Sequence, residues 1–147
     1  MENKKWLALN PYKGFTIIEL VVVVAIIAIL ASITVVAVGG YINSSKNATM
    51  KASLIGLISA GTDWYATYSS YSGFCESPIM VSTQDSITKL GGGVPNCKYE
   101  TGVTYLQWCA CSPEISTGYM FCVDYKGSKK RYTGSFCQSV CLFGVCR

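Results

Sequence analysis

At 147 residues with a net charge of +4, the chain has room for one modest domain plus a membrane segment, and the charge is too mild to announce a nucleic-acid or anionic-lipid partner. It contains no histidine, which removes the commonest general base and the commonest metal ligand. Three lysines (Lys4, Lys5 and Lys13) lie in the first fourteen residues beside Glu2, and without that segment nine basic and seven acidic side chains remain.

Residues 1–14 read as a short, polar, basic leader, with Pro11 just before Tyr12-Lys13-Gly14. An apolar run follows from Phe15 to about Val38, interrupted only by Thr16, Glu19, Ser32 and Thr34. As a helix its 24 residues span about 36 Å, enough for a ~30 Å hydrocarbon core. The lysines precede it, so the positive-inside rule puts the N-terminus in the cytoplasm and everything after residue 40 outside. A secretory signal peptide is excluded on two counts: the core is too long, and it carries an acid near its start. Glu19 is that acid. A carboxylate in lipid needs a partner, and no Lys or Arg lies between Lys13 and Lys46 to supply one from the same helix.

Gly39-Gly40 is a soft spot, since each glycine costs about 1 kcal/mol relative to alanine in a helix. Beyond it Met50, Leu54, Leu57, Ile58, Gly61, Trp64, Tyr65 and Tyr68 recur at intervals of three and four, one apolar stripe on an amphipathic helix. Lys46, Asn47, Lys51 and Asp63 fall mostly on other faces. No proline interrupts residues 12–77, so the spacing predicts one helix from about Thr16 to Ser69, roughly 80 Å long. From Tyr71 onward the chain is rich in Gly, Ser, Thr and Tyr, with turns at Gly91-Gly92-Gly93 and Pro95-Asn96. Strand-like alternation occurs in Val103 to Trp108 and in Tyr119 to Tyr125. A turn at Lys126-Gly127-Ser128 leads to a third strand, Lys129 to Thr133. The expected fold class is α+β: the long helix packed on a small antiparallel sheet.

All eight cysteines (Cys75, Cys97, Cys109, Cys111, Cys122, Cys137, Cys141 and Cys146) fall in the C-terminal half, which places that half in an oxidising compartment. Zinc is the competing reading, but no C-x-x-C pair exists, and disulfides are favoured. A Cys109–Cys111 bond is disfavoured because both side chains leave the same face of a strand. Cys75 or Cys97 is expected to tie the segment after the helix to the sheet, and Cys137, Cys141 or Cys146 to tie down the tail.

The block Lys13-Gly14-Phe15-Thr16-Ile17-Ile18-Glu19-Leu20, with the apolar run behind it, closely resembles the prepilin signature of type IV pilins and pseudopilins. The resemblance implies cleavage by a prepilin peptidase between Gly14 and Phe15, then N-methylation of Phe15. It also implies a counter-ion for Glu19: the α-amino group that cleavage creates on Phe15 of a neighbouring subunit, which would set the register of assembly. Many type IV pilins have a glycine within this helix and a proline near its end; here Ala28 and Val36 stand there, and Gly39-Gly40 is the candidate site of local melting. The chain then divides into a leader peptide, 1–14; a transmembrane and polymerisation helix, 15–40; the amphipathic half of that helix, 41–70; and a disulfide-rich β domain, 71–147.

Other constellations are weaker. Lys126, Lys129, Lys130 and Arg131, flanked by Tyr125 and Tyr132, form a basic and aromatic cluster that could touch DNA, though a charged edge strand that resists aggregation explains it as well. Trp6, Trp64 and Trp108 suggest a sugar platform, but Trp64 and Trp108 lie on the stripe and a strand and read as core. No histidine activates a nucleophile and no close carboxylate pair occurs, so no enzyme, cofactor or metal is expected. The reading is a processed, methylated subunit of an extracellular filament serving adhesion, motility or DNA uptake, held in the inner membrane before assembly. Its partners are the peptidase and other pilin subunits, with nucleic acid as a weaker one. The rivals are a type II secretion pseudopilin, a minor tip pilin binding DNA or surfaces, and a single-pass anchored, disulfide-rich binding domain.

Overall fold

A computed structural model of the chain describes residues 14–99, 105–134 and 136–147, so the lysines of the leader, Trp6 and the start of the strand expected from Val103 lie outside the described residues. Helix α1 runs from Ile17 to Tyr68 without a break. The chain separates into two units with the boundary between Gly39 and Gly40.

In the first unit α1 is apolar on every side. Ile17, Ile18, Leu20, Val21 to Val24, Ile26, Ile27, Ile29, Leu30 and Ile33 are all exposed, and nothing among the described residues covers them. The stretch is long and apolar enough to cross a membrane. Its hydroxyls are satisfied within the helix: Ser32 donates to the Ile29 carbonyl at 2.7 Å and Thr34 to the Ala31 carbonyl at 2.9 Å, as a lipid-facing helix requires.

In the second unit α1 buries Asn47, Met50, Leu54, Leu57 and Gly61, one stripe at alternating intervals of three and four. Trp64 is half-buried at the end of the stripe, while Tyr65 and Tyr68 are exposed. Asn47 and Lys51, assigned by spacing to other faces, belong to the docking face: their polar ends meet loop groups described below. After α1 come a 3₁₀ turn, Phe74–Glu76, and helix α2, Pro78–Lys89. Loops are expected there from composition; instead Ser77 caps the Met80 amide at 3.4 Å and Pro78 supplies the first helical residue. Met80 and Ile87 then bury against the core.

The sheet is an antiparallel meander of β1 (Asn96–Tyr99), β2 (Trp108–Pro113), β3 (Tyr119–Asp124) and β4 (Lys129–Thr133) in that order. The strand expected at Val103 to Trp108 thus starts at Trp108 and continues to Pro113. Both faces are covered. Trp108, Ala110, Phe121 and Val123 pack with the α1 stripe, Tyr71 and Phe74. Cys109, Cys111, Met120 and Cys122 meet the tail, which consists of a 3₁₀ turn, Cys137–Ser139, and a small hairpin of β5 (Cys141–Leu142) and β6 (Val145–Cys146).

Four disulfides fix this layout. Cys75–Cys97 ties the 3₁₀ turn after α1 to β1, and Cys109–Cys141, Cys111–Cys137 and Cys122–Cys146 hold the tail on the back of the sheet. Such bonds supply what a small core lacks. Asp124, fully buried, joins the same elements with hydrogen bonds: one carboxylate oxygen accepts from the amides of Lys126 and Ser128, each at 3.0 Å, and the other from the Cys146 amide at 3.2 Å.

Gly61 is the tightest contact between α1 and the sheet. A methyl group there would stand 2.7–2.8 Å from the indole of Trp108, which is wholly buried and cannot swing aside. Overpacking of this kind costs about 1–3 kcal/mol, against about 1 kcal/mol gained in helix propensity. Gly61→Ala is expected to destabilise the chain in chemical denaturation. Gly56→Ala, where a methyl group would meet nothing, is expected to stabilise it by up to ~1 kcal/mol.

Candidate functional site

The residues singled out at the start of the apolar run lie at the mouth of α1. Gly14, Phe15 and Thr16 precede the helix and are exposed. Thr16 is its N-cap and Glu19 its third residue, and the two form a capping box. The Glu19 carboxylate accepts from the Thr16 amide and from the Thr16 hydroxyl, both at 2.9 Å, while the Glu19 amide donates to the Thr16 hydroxyl at 3.3 Å. The spacing Thr-x-x-Glu carries this signal in the sequence, independently of any counter-ion. Glu19 therefore has polar partners inside its own chain, though none of them is a charge.

This arrangement has a chemical consequence for the bond between Gly14 and Phe15. That bond lies one residue before the cap, in exposed and non-helical backbone that a peptidase can take in extended form. Thr16 keeps its amide after such a cut, so the cap survives, and a new α-amino group is created on the residue before Thr16, four positions before Glu19. Further along, Gly39 and Gly40 are both helical, with open space where a side chain would sit. Among the described residues no packing demands glycine at either position.

The basic cluster of the hairpin is divided by the strand. Lys129 and Arg131 take the helix-facing side, opposite Val123 and Phe121, while Lys130 and Tyr132 take the tail side, opposite Cys122 and Met120. Lys130 donates to the Cys146 carbonyl at 3.1 Å. Arg131 lies over the Tyr119 ring, 3.8 Å from its centroid, and makes a two-pronged bond to Glu114 at 2.8 and 2.7 Å. The four cations do not form one surface.

Glu114 is the principal charged group that sequence spacing did not single out. Its side chain is only 1% exposed and is held by Arg131, by Lys51 of α1 at 2.9 Å and by the Thr117 hydroxyl at 3.1 Å. Burial pushes its carboxyl upward, but the hydrogen bonds from Arg131, Lys51 and Thr117 outweigh that and hold it below its ordinary value of 4.5. One turn before Lys51, the Asn47 side chain accepts from the Ile115 amide at 2.7 Å and donates to the Ile115 carbonyl at 3.1 Å. Asn47 and Lys51 thus clasp α1 to the loop between β2 and β3. These charges are satisfied internally, and no histidine, thiol or second carboxylate joins them. The network is built to hold a helix on a sheet.

Among the described residues no cluster of three or more metal-ligating side chains occurs. Residues 9–35 match the family model of the prokaryotic N-terminal methylation motif. No curated protein and no solved structure matches the chain. The matched span takes in the Gly14–Phe15 junction, the capping box and most of the exposed apolar helix, in front of an α+β domain closed by four disulfides. The chain carries the prokaryotic N-terminal methylation motif, the prepilin signal found in type IV pilins and pseudopilins.

Proposed function

We propose that the chain is cut between Gly14 and Phe15 by a prepilin peptidase, methylated on the new N-terminal Phe15, and packed helix to helix as a structural subunit of an extracellular filament. Before assembly it is anchored by α1 in the inner membrane, with the leader on the cytoplasmic side and the disulfide-bonded domain outside. The observation that carries this reading is the first unit of α1, exposed and apolar on every side with one acid near its start. A membrane covers such a helix in the precursor, and neighbouring helices cover it in a filament.

In the filament Glu19 pairs with the α-amino group of Phe15 on a neighbour. Two charges that are each costly in an apolar bundle neutralise one another only at the correct axial offset, so the pair selects register. Gly39-Gly40, at the boundary between the units, is where α1 gives way if packing requires local melting. Hydrogen exchange across residues 36–42 in the filament is expected to be faster than in the flanking turns. The hairpin cations do not favour a nucleic-acid role, since Arg131 is engaged by Glu114 and Lys130 lies on the other face.

The cystine-closed outer domain suits exposure outside the cell, which favours a pilus over a periplasmic secretion filament. Mass spectrometry of the native chain tests the proposal at its root: the mature N-terminus is expected to be methylated Phe15. An intact Met1 terminus in the membrane-bound protein would return the chain to the single-pass anchor reading.

A further inference from the structure

Six of the eight cysteines lie in one layer behind the sheet, three on strands and three on the tail. Strand register puts two pairs of them opposite each other that are not bonded. Cys111 faces Cys122 across β2 and β3, and Cys141 faces Cys146 across β5 and β6. The Tyr125 amide donates to the Trp108 carbonyl at 3.0 Å and the Glu114 amide to the Tyr119 carbonyl at 2.8 Å, which fixes the ladder's alternation. Cys111 and Cys122 therefore occupy a non-hydrogen-bonded position, where Cα atoms stand about 4.5 Å apart. In the small hairpin Phe143 and Gly144 both have positive φ, a two-residue turn closed by Leu142 and Val145. The next pair out, Cys141 and Cys146, is of the same kind. Disulfides bridge Cα separations of about 4.4–6.8 Å, so both cross-strand bonds are within reach.

They also close first. Each lies within a single hairpin, whereas the native bonds span 32, 26 and 24 residues, and loop closure grows costlier with length. We propose that oxidation before the tail docks forms Cys111–Cys122 and Cys141–Cys146, leaving Cys109 to bond Cys137, and that this sulfur layer is a substrate for thiol–disulfide exchange with an external thiolate. The partner implied is a thiol–disulfide isomerase of the compartment that receives the domain.

The exchange balances without an oxidant. The external thiolate attacks Cys137 and releases the Cys109 thiolate, which attacks Cys141 and releases that of Cys146. The Cys146 thiolate attacks Cys122 and releases that of Cys111, which attacks Cys137 and frees the external thiolate again. Three disulfides enter and three leave. The tail, tied by one bond in the isomer, ends tied by three, and the sulfurs of Cys109, Cys111, Cys122 and Cys141 are then sealed from solvent.

The test starts from the full chain, reduced and denatured in detergent, then returned to native buffer with ferricyanide alone or with a glutathione redox pair. Peptide mapping by mass spectrometry reads the bonds. Ferricyanide is expected to give Cys111–Cys122 and Cys141–Cys146 in most molecules, and added reduced glutathione to convert them to the native three. C111S combined with C141S removes both cross-strand bonds and is expected to form Cys122–Cys146 with ferricyanide alone. Native pairing in equal yield with and without thiol, or no gain in Cys122–Cys146 in the double variant, would overturn the proposal.

Discussion

Glu19→Ala is expected to abolish filament assembly, with the sedimentable fraction falling by an order of magnitude or more while the chain remains in the membrane. Under the proposed function the substitution removes two things at once, the intersubunit partner of the Phe15 amine and half of the capping box with Thr16. Glu19→Gln separates them. A capping box accepts Gln in place of Glu, so the first turn of α1 keeps its satisfied amide. The charge is gone, however, and the amine of a neighbour is left in apolar surroundings without a counter-ion. Glu19→Gln should therefore fail to assemble while leaving helicity unchanged by circular dichroism. Normal filaments from Glu19→Gln together with defective ones from Glu19→Ala would transfer the role of this residue from register to capping.

The Glu114 network carries the second large effect. Lys51→Ala combined with Arg131→Ala leaves a buried carboxylate with only the Thr117 hydroxyl. The loss in urea denaturation is expected at the lower end of the about 3–5 kcal/mol that stranding a buried charge costs, because both cations are partly solvated. The response to pH should change sign. In the native chain the carboxyl sits below 4.5, so its stabilisation is fully present above that value and fades as pH falls through the lower folded value. Without the cations burial outweighs the one remaining hydrogen bond, from Thr117, and raises the carboxyl. The strain is then full above the raised folded value and gone below 4.5, so the double variant should gain stability as pH falls toward 4.5, a range where the native chain is level. Glu114→Gln should flatten the dependence in both backgrounds. A double variant that follows the native curve would show that the two cations do not set the state of Glu114.

The prepilin segment was legible in the sequence because nothing tertiary acts on it. Among the described residues, 15–34 bury nothing, so pattern alone states their physics: length, apolarity and one acid. Strand β3 was legible although it too is buried on both faces, because its Tyr119, Phe121 and Val123 share one face. Strand β2 was not. Its Trp108-Cys109-Ala110-Cys111-Ser112 is buried on both faces, and alternation vanishes when a tail covers the side that usually meets water. Helix α2 hid behind weak propensity, with Val81, Ser82, Thr83, Asp85, Ser86, Ile87 and Thr88 in twelve residues, although Ser77-Pro78 marked its start. Glu114 offered no local sign at all. Its partners come from a helix more than sixty residues earlier and a strand seventeen residues later, and only the docked fold brings them together. The cystine pairing was out of reach for the same reason, because the strand partners that face one another are not the ones that bond.

Asp124 shows how such a small domain can tell a finished fold from an unfinished one. Two of its three amide donors come from the turn that follows it, so they are present as soon as the hairpin closes. The third belongs to Cys146, near the end of the chain. A molecule with a correct hairpin and a misplaced tail would bury a carboxylate one donor short, a defect that disappears only when the last segment arrives. Asp124 therefore acts as a lock that closes on the final piece: it makes completion of the tail cooperative with the sheet, and it gives partly built molecules a reason to reopen.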